Sequence, residues 1–336
     1  MPRTTPPVQI GPSAPWLPAD LPTDVDDALT DVRTWPADLR PGHGATARLW
    51  SLLASLAAHD LGVARAVEPH LDALAILDQA GAADTTGRTW GVFAAEGPGV
   101  RLDAFPPDAG GTWRLRGTKP WCSLAGRLDA ALVTAHLPDG ARALFAVDLR
   151  DPGVAPVDQP WASRGLVEIP STPVAFDDVP AAPVGAPGWY LERPGFWWGG
   201  IGVAACWYGG AVALARALWA RASTSDDRLV AMHLGAVDVA LQDARRALEE
   251  AARVVDGEGG RVPGPVVAKR ARATVARTCE DVLTRVGHAL GPAPLALDPV
   301  HAKRVADLQV YVRQHHAERD DASLGAALGG TDTAPW

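Results

Sequence analysis

Disulfide partners, lysines and the common catalytic signatures are all scarce or missing in this chain of 336 residues. Its three cysteines, Cys122, Cys206 and Cys279, lie far apart with no CxxC spacing. An odd, scattered set excludes a disulfide framework and a zinc site, and it fits a reducing, cytoplasmic compartment. Lysine occurs only at Lys119, Lys269 and Lys303, and the arginines are dispersed through the chain. With a net charge of -8 and no basic stripe, nucleic-acid binding is excluded. No Walker A sequence, HExxH, GxSxG or strand–GxGxxG–helix unit occurs, so the chemistries those motifs carry are disfavoured. The N-terminal stretch has Pro6, Pro7, Pro12, Pro15 and Pro18 where a signal peptide needs an apolar core. The 21 residues from Gly195 to Ala215 carry no charge and are long enough to span a bilayer. Six of them are glycine and Leu214 is the only leucine. That composition reads as a helix buried all round inside a protein, with no membrane span.

What is present changes period twice. Residues 1–22 are Pro-rich and extended, and 23–88 form a helical N-terminal region. Within it Leu49, Leu52, Leu53 and Leu56 mark one apolar face, and Leu71, Leu74, Ile76 and Leu77 another. Pro69 predicts a break or kink between them. Over 89–188 the pattern becomes β: Trp113 and Leu115 alternate with Arg114 and Arg116, and Trp90–Ala95, Ala130–Ala135, Ala143–Leu149 and Pro173–Phe176 are strand-like. Gly110-Gly111, Pro138-Asp139-Gly140 and Pro152-Gly153 supply turns. Strands without intervening helices predict an antiparallel barrel or sandwich. Helices return over 189–328, with Asp298-Pro299 as cap and first turn of the last one, which runs to His315-His316; a tail covers 329–336. The fold class is α+β: N-terminal helices, a middle antiparallel β-barrel or sandwich, and a C-terminal four-helix bundle.

Three middle segments together resemble the acyl-CoA dehydrogenase family of flavoproteins. Gly117-Thr118-Lys119-Pro120-Trp121-Cys122-Ser123 is similar to its G-x-K-x-W-I-T/S stretch. Phe145-Ala146-Val147-Asp148 with Pro152-Gly153-Val154, and Phe176-Asp177-Asp178-Val179-Pro180 with Gly185, follow in the family's order. Arg304 and Asp307 resemble its R-x-x-RD stretch. The resemblance covers about two thirds of the chain, by comparison with a family whose N-terminal domain is longer.

The resemblance implies FAD between the β domain and the C-terminal helices, an acyl-CoA or related small substrate, and a homo-oligomer, since the family's FAD bridges subunits. Trp121 would lie against the isoalloxazine, with the Cys122 backbone and Ser123 near its reactive nitrogen. Ala95 and Glu96 fall on the family's second flavin loop, T-E-P-x-A-G-S-D, of which only Glu96 keeps its place. Arg228 is the nearest candidate for a pyrophosphate arginine. Family dehydrogenation needs a carboxylate to take a proton, yet His315 falls on one of its positions and no Asp or Glu occurs between Glu192 and Asp226, where the other would be. Three readings stay open: His315 or His316 as base, Glu318 as base, or no acyl-CoA dehydrogenation at all. The last includes a flavin monooxygenase on the same fold, or a non-catalytic relative acting as a structural or heteromeric partner.

Overall fold

The computed structural model describes residues 6–36, 38–82, 87–107, 111–258, 264–330 and 334. Residues 1–5 of the extended N terminus, Gly110 of the expected turn and most of the 329–336 tail lie outside them.

Helix α1 (Val25–Asp31) is capped by Asp24, whose carboxylate accepts from the Asp26 and Asp27 amides. Helices α2 (Thr46–His59) and α3 (Leu61–Gln79) follow. The chain breaks between these two at Asp60, an extended residue whose carboxylate accepts from the Gly62 and Val63 amides. Pro69, expected to break or kink the segment, does not break it: it lies inside a single helix α3. A strong N-cap therefore sets the boundary, while Pro69 removes only one bond of the helical ladder.

Seven strands come next: β1 (Trp90–Phe93), β2 (Leu102–Phe105), β3 (Trp113–Lys119), β4 (Ala130–His136), β5 (Arg142–Asp148), β6 (Val154–Pro156) and β7 (Val174–Val184). The pairing runs β1-β4-β2-β3-β7-β5, and a β4–β5 ladder closes β4, β2, β3, β7 and β5 into a ring. The ladders are mostly antiparallel, as expected. The exceptions are β1, which runs parallel to β4 over four residues, and a single parallel β2–β4 pair at Asp103 and His136. Leu115, Val133, Phe145 and Val179 fill the interior. On the outside, Leu132 and Leu144 pack against Ile76 and Leu77 of α3. This two-sided burial explains why β4 is nearly continuously apolar.

After a short helix α4 (Trp189–Glu192) come α5 (Gly195–Ala222), α6 (Arg228–Val255) and α7 (Gly264–Leu290), then α8 (Pro292–Leu297), α9 (Pro299–Tyr311) and α10 (Glu318–Gly329). Helix α5 is long and apolar enough to cross a membrane by length and composition, yet most of it is buried among α2, α6, α7 and α9. Its small buried residues, among them Ala204, Ala205, Gly209 and Gly210, let those neighbours approach closely. Asp298 caps α9 as the sequence indicates, accepting from the Val300 and His301 amides. The last helix does not continue to His316: α9 stops at Tyr311, a 3-10 turn covers Val312–Gln314, and His315 is extended.

Candidate functional site

A cavity of about 1010 Å³ lies where the β-barrel meets the helices. Its β side comprises Ala94–Glu96 after β1, Trp121 and Ser123 after β3, and Trp161, Leu166 and Ile169 from the β6–β7 connection. Its helical side comprises one face of α3 from Arg65 to Asp72, the start of α5, Lys269 and Arg272 of α7, and the end of α9 through His316.

The loop after β3 is clamped in place. The Cys122 amide donates to the Thr172 carbonyl (3.1 Å) and the Leu124 amide to the Pro170 carbonyl (2.9 Å). Ser123 Oγ lies 2.7 Å from Ser171 Oγ and accepts from Arg65 Nη2 at 2.9 Å. Trp121 has φ 60°, a conformation that costs about 1 kcal/mol or more outside glycine. The strain is spent on an indole that stays 59% exposed at the cavity. Cys122 presents its backbone to this loop while its thiol is buried and directed at the Lys119 carbonyl (3.3 Å). Burial pushes that thiol up to about 12, so it stays protonated and unreactive.

Ala95 and Glu96 both line the cavity, but the Glu96 carboxylate is already engaged. It accepts from buried Lys119 Nζ at 2.8 Å and lies 3.3 Å from both His136 Nε2 and Arg142 Nη1. Partial burial works to raise its pKa; the Lys119 and His136 bonds and charges outweigh that and lower it. Glu96 thus ties the end of β1 to β3, β4 and β5. Arg228 is exposed at the start of α6, and Glu318 is exposed in the first turn of α10; neither lines the cavity.

His315 and His316 both line it, in different states. His316 is exposed. His315 is 9% exposed, its ring edge-on to Trp207 at 6.4 Å. Its Nδ1 accepts from the Ala317 amide at 3.2 Å, and its Nε2 has no hydrogen-bond partner, with Asp320 3.6 Å away. Burial lowers the pKa, with Asp320 opposing and Arg272 assisting. A neutral imidazole whose Nδ1 accepts carries its proton on Nε2, so the unpaired nitrogen of this lining residue is an N–H donor.

The sequence reading missed two carboxylates, Glu68 and Asp72, one turn apart on the cavity face of α3. Glu68 is 7% exposed. Burial and the Asp72 charge push its pKa up to about 8, against the pull of Arg65 and Arg272. Asp72 is also raised by burial, with Arg193 opposing at 3.7 Å. Asp72 Oδ1 and Arg65 Nη1 are buried without a hydrogen-bond partner. The available signal was local: Arg65, Glu68 and Asp72 share a helical face in a segment otherwise rich in alanine, valine and leucine.

A second acidic group, Asp60, Glu168 and Asp307, has ligand-like spacing. Lys303 Nζ already fills its centre, at 3.0, 2.7 and 2.6 Å from the three carboxylates.

Neither a family model nor a curated protein sequence matches the chain. Solved structures do. Butyryl-CoA dehydrogenase from Megasphaera elsdenii superposes with a TM-score of 0.77 at 17% identity, over 90% of this chain and 89% of that one. The fold is that of the acyl-CoA dehydrogenases. Two further structures share it. Glutaryl-CoA dehydrogenase from Mycobacterium smegmatis, in complex with FADH2, gives 0.74 at 17% identity, over 93% and 86% of the two chains. FMN-bound TdsC from Paenibacillus sp. A11-2, a dibenzothiophene monooxygenase, gives 0.74 at 19%, over 86% and 85%. This acyl-CoA dehydrogenase fold accounts for the closed β-barrel set between α3 and the long C-terminal helices.

Proposed function

We propose that this chain is a flavin-dependent oxidoreductase whose cavity holds an isoalloxazine ring and a small, largely apolar substrate. One observation carries the reading: a cavity of about 1010 Å³, large for a small-molecule site, is edged by an exposed indole and keeps buried polar atoms without protein partners. The residues present fit the group. Trp121 offers a flat aromatic surface; Ser123 and Ala95 line the same cavity, and Arg65 Nη1 is a donor without a protein partner beside Ser123, while the Cys122 amide is already bound to the Thr172 carbonyl. The bound flavin would supply two-electron oxidation. The chain's own residues orient the substrate, exclude water through Trp161, Leu166 and Ile169, and move the proton.

The substrate we propose is an acyl thioester or a related small molecule oxidised at a CH–CH group, with FAD as the flavin. Oxygenation is the second reading. It draws on the likeness to the monooxygenase TdsC and on His315, a neutral donor at the position where the sequence resemblance implies a carboxylate.

The test supplies FAD and FMN separately, removes excess by desalting and records the visible spectrum. A retained flavin band is expected. Anaerobic addition of butyryl-CoA should then bleach it; absence of bleaching, together with oxygen uptake by the pre-reduced protein in the presence of indole, selects the second reading. A folded, colourless protein overturns both. We also propose a homo-oligomer, because α6 presents Leu229, Met232 and Val239 to solvent on one face.

A further inference from the structure

We infer that the proton-transfer group of this cavity is the Glu68 carboxyl on α3, with Asp72 as its positioning residue. His315 is then a fixed N–H donor. The inference rests on the reading of the cavity as a flavin oxidoreductase site.

Geometry separates the candidates. His315 has its proton on Nε2, a buried nitrogen 3.6 Å from the Asp320 carboxylate, and its other nitrogen is occupied by the Ala317 amide at 3.2 Å. Gaining a second proton would break that bond and charge a buried ring, so His315 donates and does not accept. Glu318 is exposed and outside the cavity. Glu96 is engaged by Lys119, His136 and Arg142. Glu68 lies in the cavity wall one turn from Asp72. Asp72 is held against the start of α5, where a Cβ on Gly199 would come within 2.5 Å of its Oδ1. A side chain at Gly199 would push that carboxylate away, so the small residue leaves Asp72 its place one turn from Glu68.

The charged and titratable groups around the pair come from five helices. Arg65 belongs to α3 itself. Tyr190 and Arg193 flank Asp72 from α4 and the turn after it, and Cys206 faces Glu68 from α5. Arg272 approaches from α7 and Tyr311 from α9. Burial and the Asp72 charge together keep Glu68 protonated up to about pH 8, near enough to neutrality for exchange in either direction. In its ionised form the carboxylate takes a proton from the bound substrate while the bonding pair stays on the substrate atom. The neutral acid then returns the proton to solvent.

The first test needs no ligand. Infrared spectra from about pH 6 to about pH 10 follow the C=O stretch of a protonated buried carboxyl. The band should disappear with a midpoint near 8, be missing in Glu68→Gln, and move down by about one pH unit or more in Asp72→Asn, where the neighbouring anion is gone. Circular dichroism checks that both near-isosteric variants fold.

The second test uses the flavin-loaded protein in whichever of the two assays above turns over. The rate should rise about tenfold per pH unit below the Glu68 midpoint and level above it. In Glu68→Gln the inflection should vanish and the rate fall about 100-fold or more. In His315→Gln the inflection should stay. A band that persists in Glu68→Gln, or a pH profile that Glu68→Gln leaves in place, overturns the inference. Retained flavin with either result sinks this inference alone. A colourless protein whose titration still depends on Glu68 sinks the flavin reading instead, and leaves Glu68 as a proton-holding group.

Discussion

Gly165 has no room for a side chain. A Cβ there would come within 2.0 Å of the Ala306 carbonyl oxygen and 2.7 Å of the Asp307 amide nitrogen, both backbone atoms of α9. The next amide, Leu166, donates to Asp307 Oδ1 at 2.6 Å, while Trp161 Nε1 donates to the Leu166 carbonyl. This contact is what sets Trp161, Leu166 and Ile169 over the cavity. Gly165→Ala should therefore cost about 2 kcal/mol or more, lower the thermal midpoint and speed loss of flavin on desalting. An unchanged midpoint and unchanged retention would show that the connection is not held by this contact. Single residues are also where sequence reading is weakest. Trp121 and Ser123 were legible because a run of neighbours carried the pattern. Glu68 was not, because a carboxylate followed by proline looks like an ordinary solvated helix position until the barrel is known to cover that face.

Among the elements, α3 connects the site to the barrel. Its far end packs Ala73, Ile76 and Leu77 on Trp90, Ala130 and Leu132, and His70 fixes the register. His70 Nδ1 accepts from the Trp90 amide at 3.2 Å and the residue is 2% exposed. Burial, with the Arg33 charge adding, lowers its pKa from 6.5 to about 4. The folded state thus holds the imidazole neutral where the unfolded chain would protonate it. The stability this represents is complete above pH 6.5 and is lost as pH falls through about 4, on the order of 3 kcal/mol in all. Urea unfolding at about pH 7 and about pH 4.5 should show a larger loss in the wild type than in His70→Gln, whose amide oxygen can take the same bond. Equal losses would place the acid sensitivity elsewhere. Elements themselves were mostly readable. The alternation around Leu115 marked β3, and Asp298-Pro299 marked the start of α9. Helix ends were less so, because the boundary before α3 is set by the Asp60 cap and not by Pro69, and the turn at Val312–Gln314 carries no composition signal.

At the scale of the whole molecule, the order of helices, strands and helices was legible because the apolar period itself changes along the chain. Closure of the barrel was not, since it depends on β4 pairing with β2 and on β5 pairing with β7 across long sequence separations. Assembly belongs to this scale too. Leu229, Met232 and Val239 are 65%, 50% and 61% exposed on α6, at spacings that put them on one helical face. Burying each against a second copy would contribute about 1.5–3 kcal/mol at most, and the same stripe would recur on the partner under two-fold symmetry. Replacing Leu229 and Val239 by glutamate would set charges in that interface with no counter-charge, at a cost well above the lost apolar area. Light scattering coupled to size exclusion should give the wild type a multiple of its 35.2 kDa chain mass, and the double variant a single chain with little change in thermal midpoint, because both side chains are solvent-facing within the protomer. A wild type that elutes as one chain, or a variant that stays assembled, would remove this face of α6 from the assembly. Loss of flavin on dissociation would tie the cofactor to the interface, whereas a monomer that keeps its flavin would confine the site to one chain.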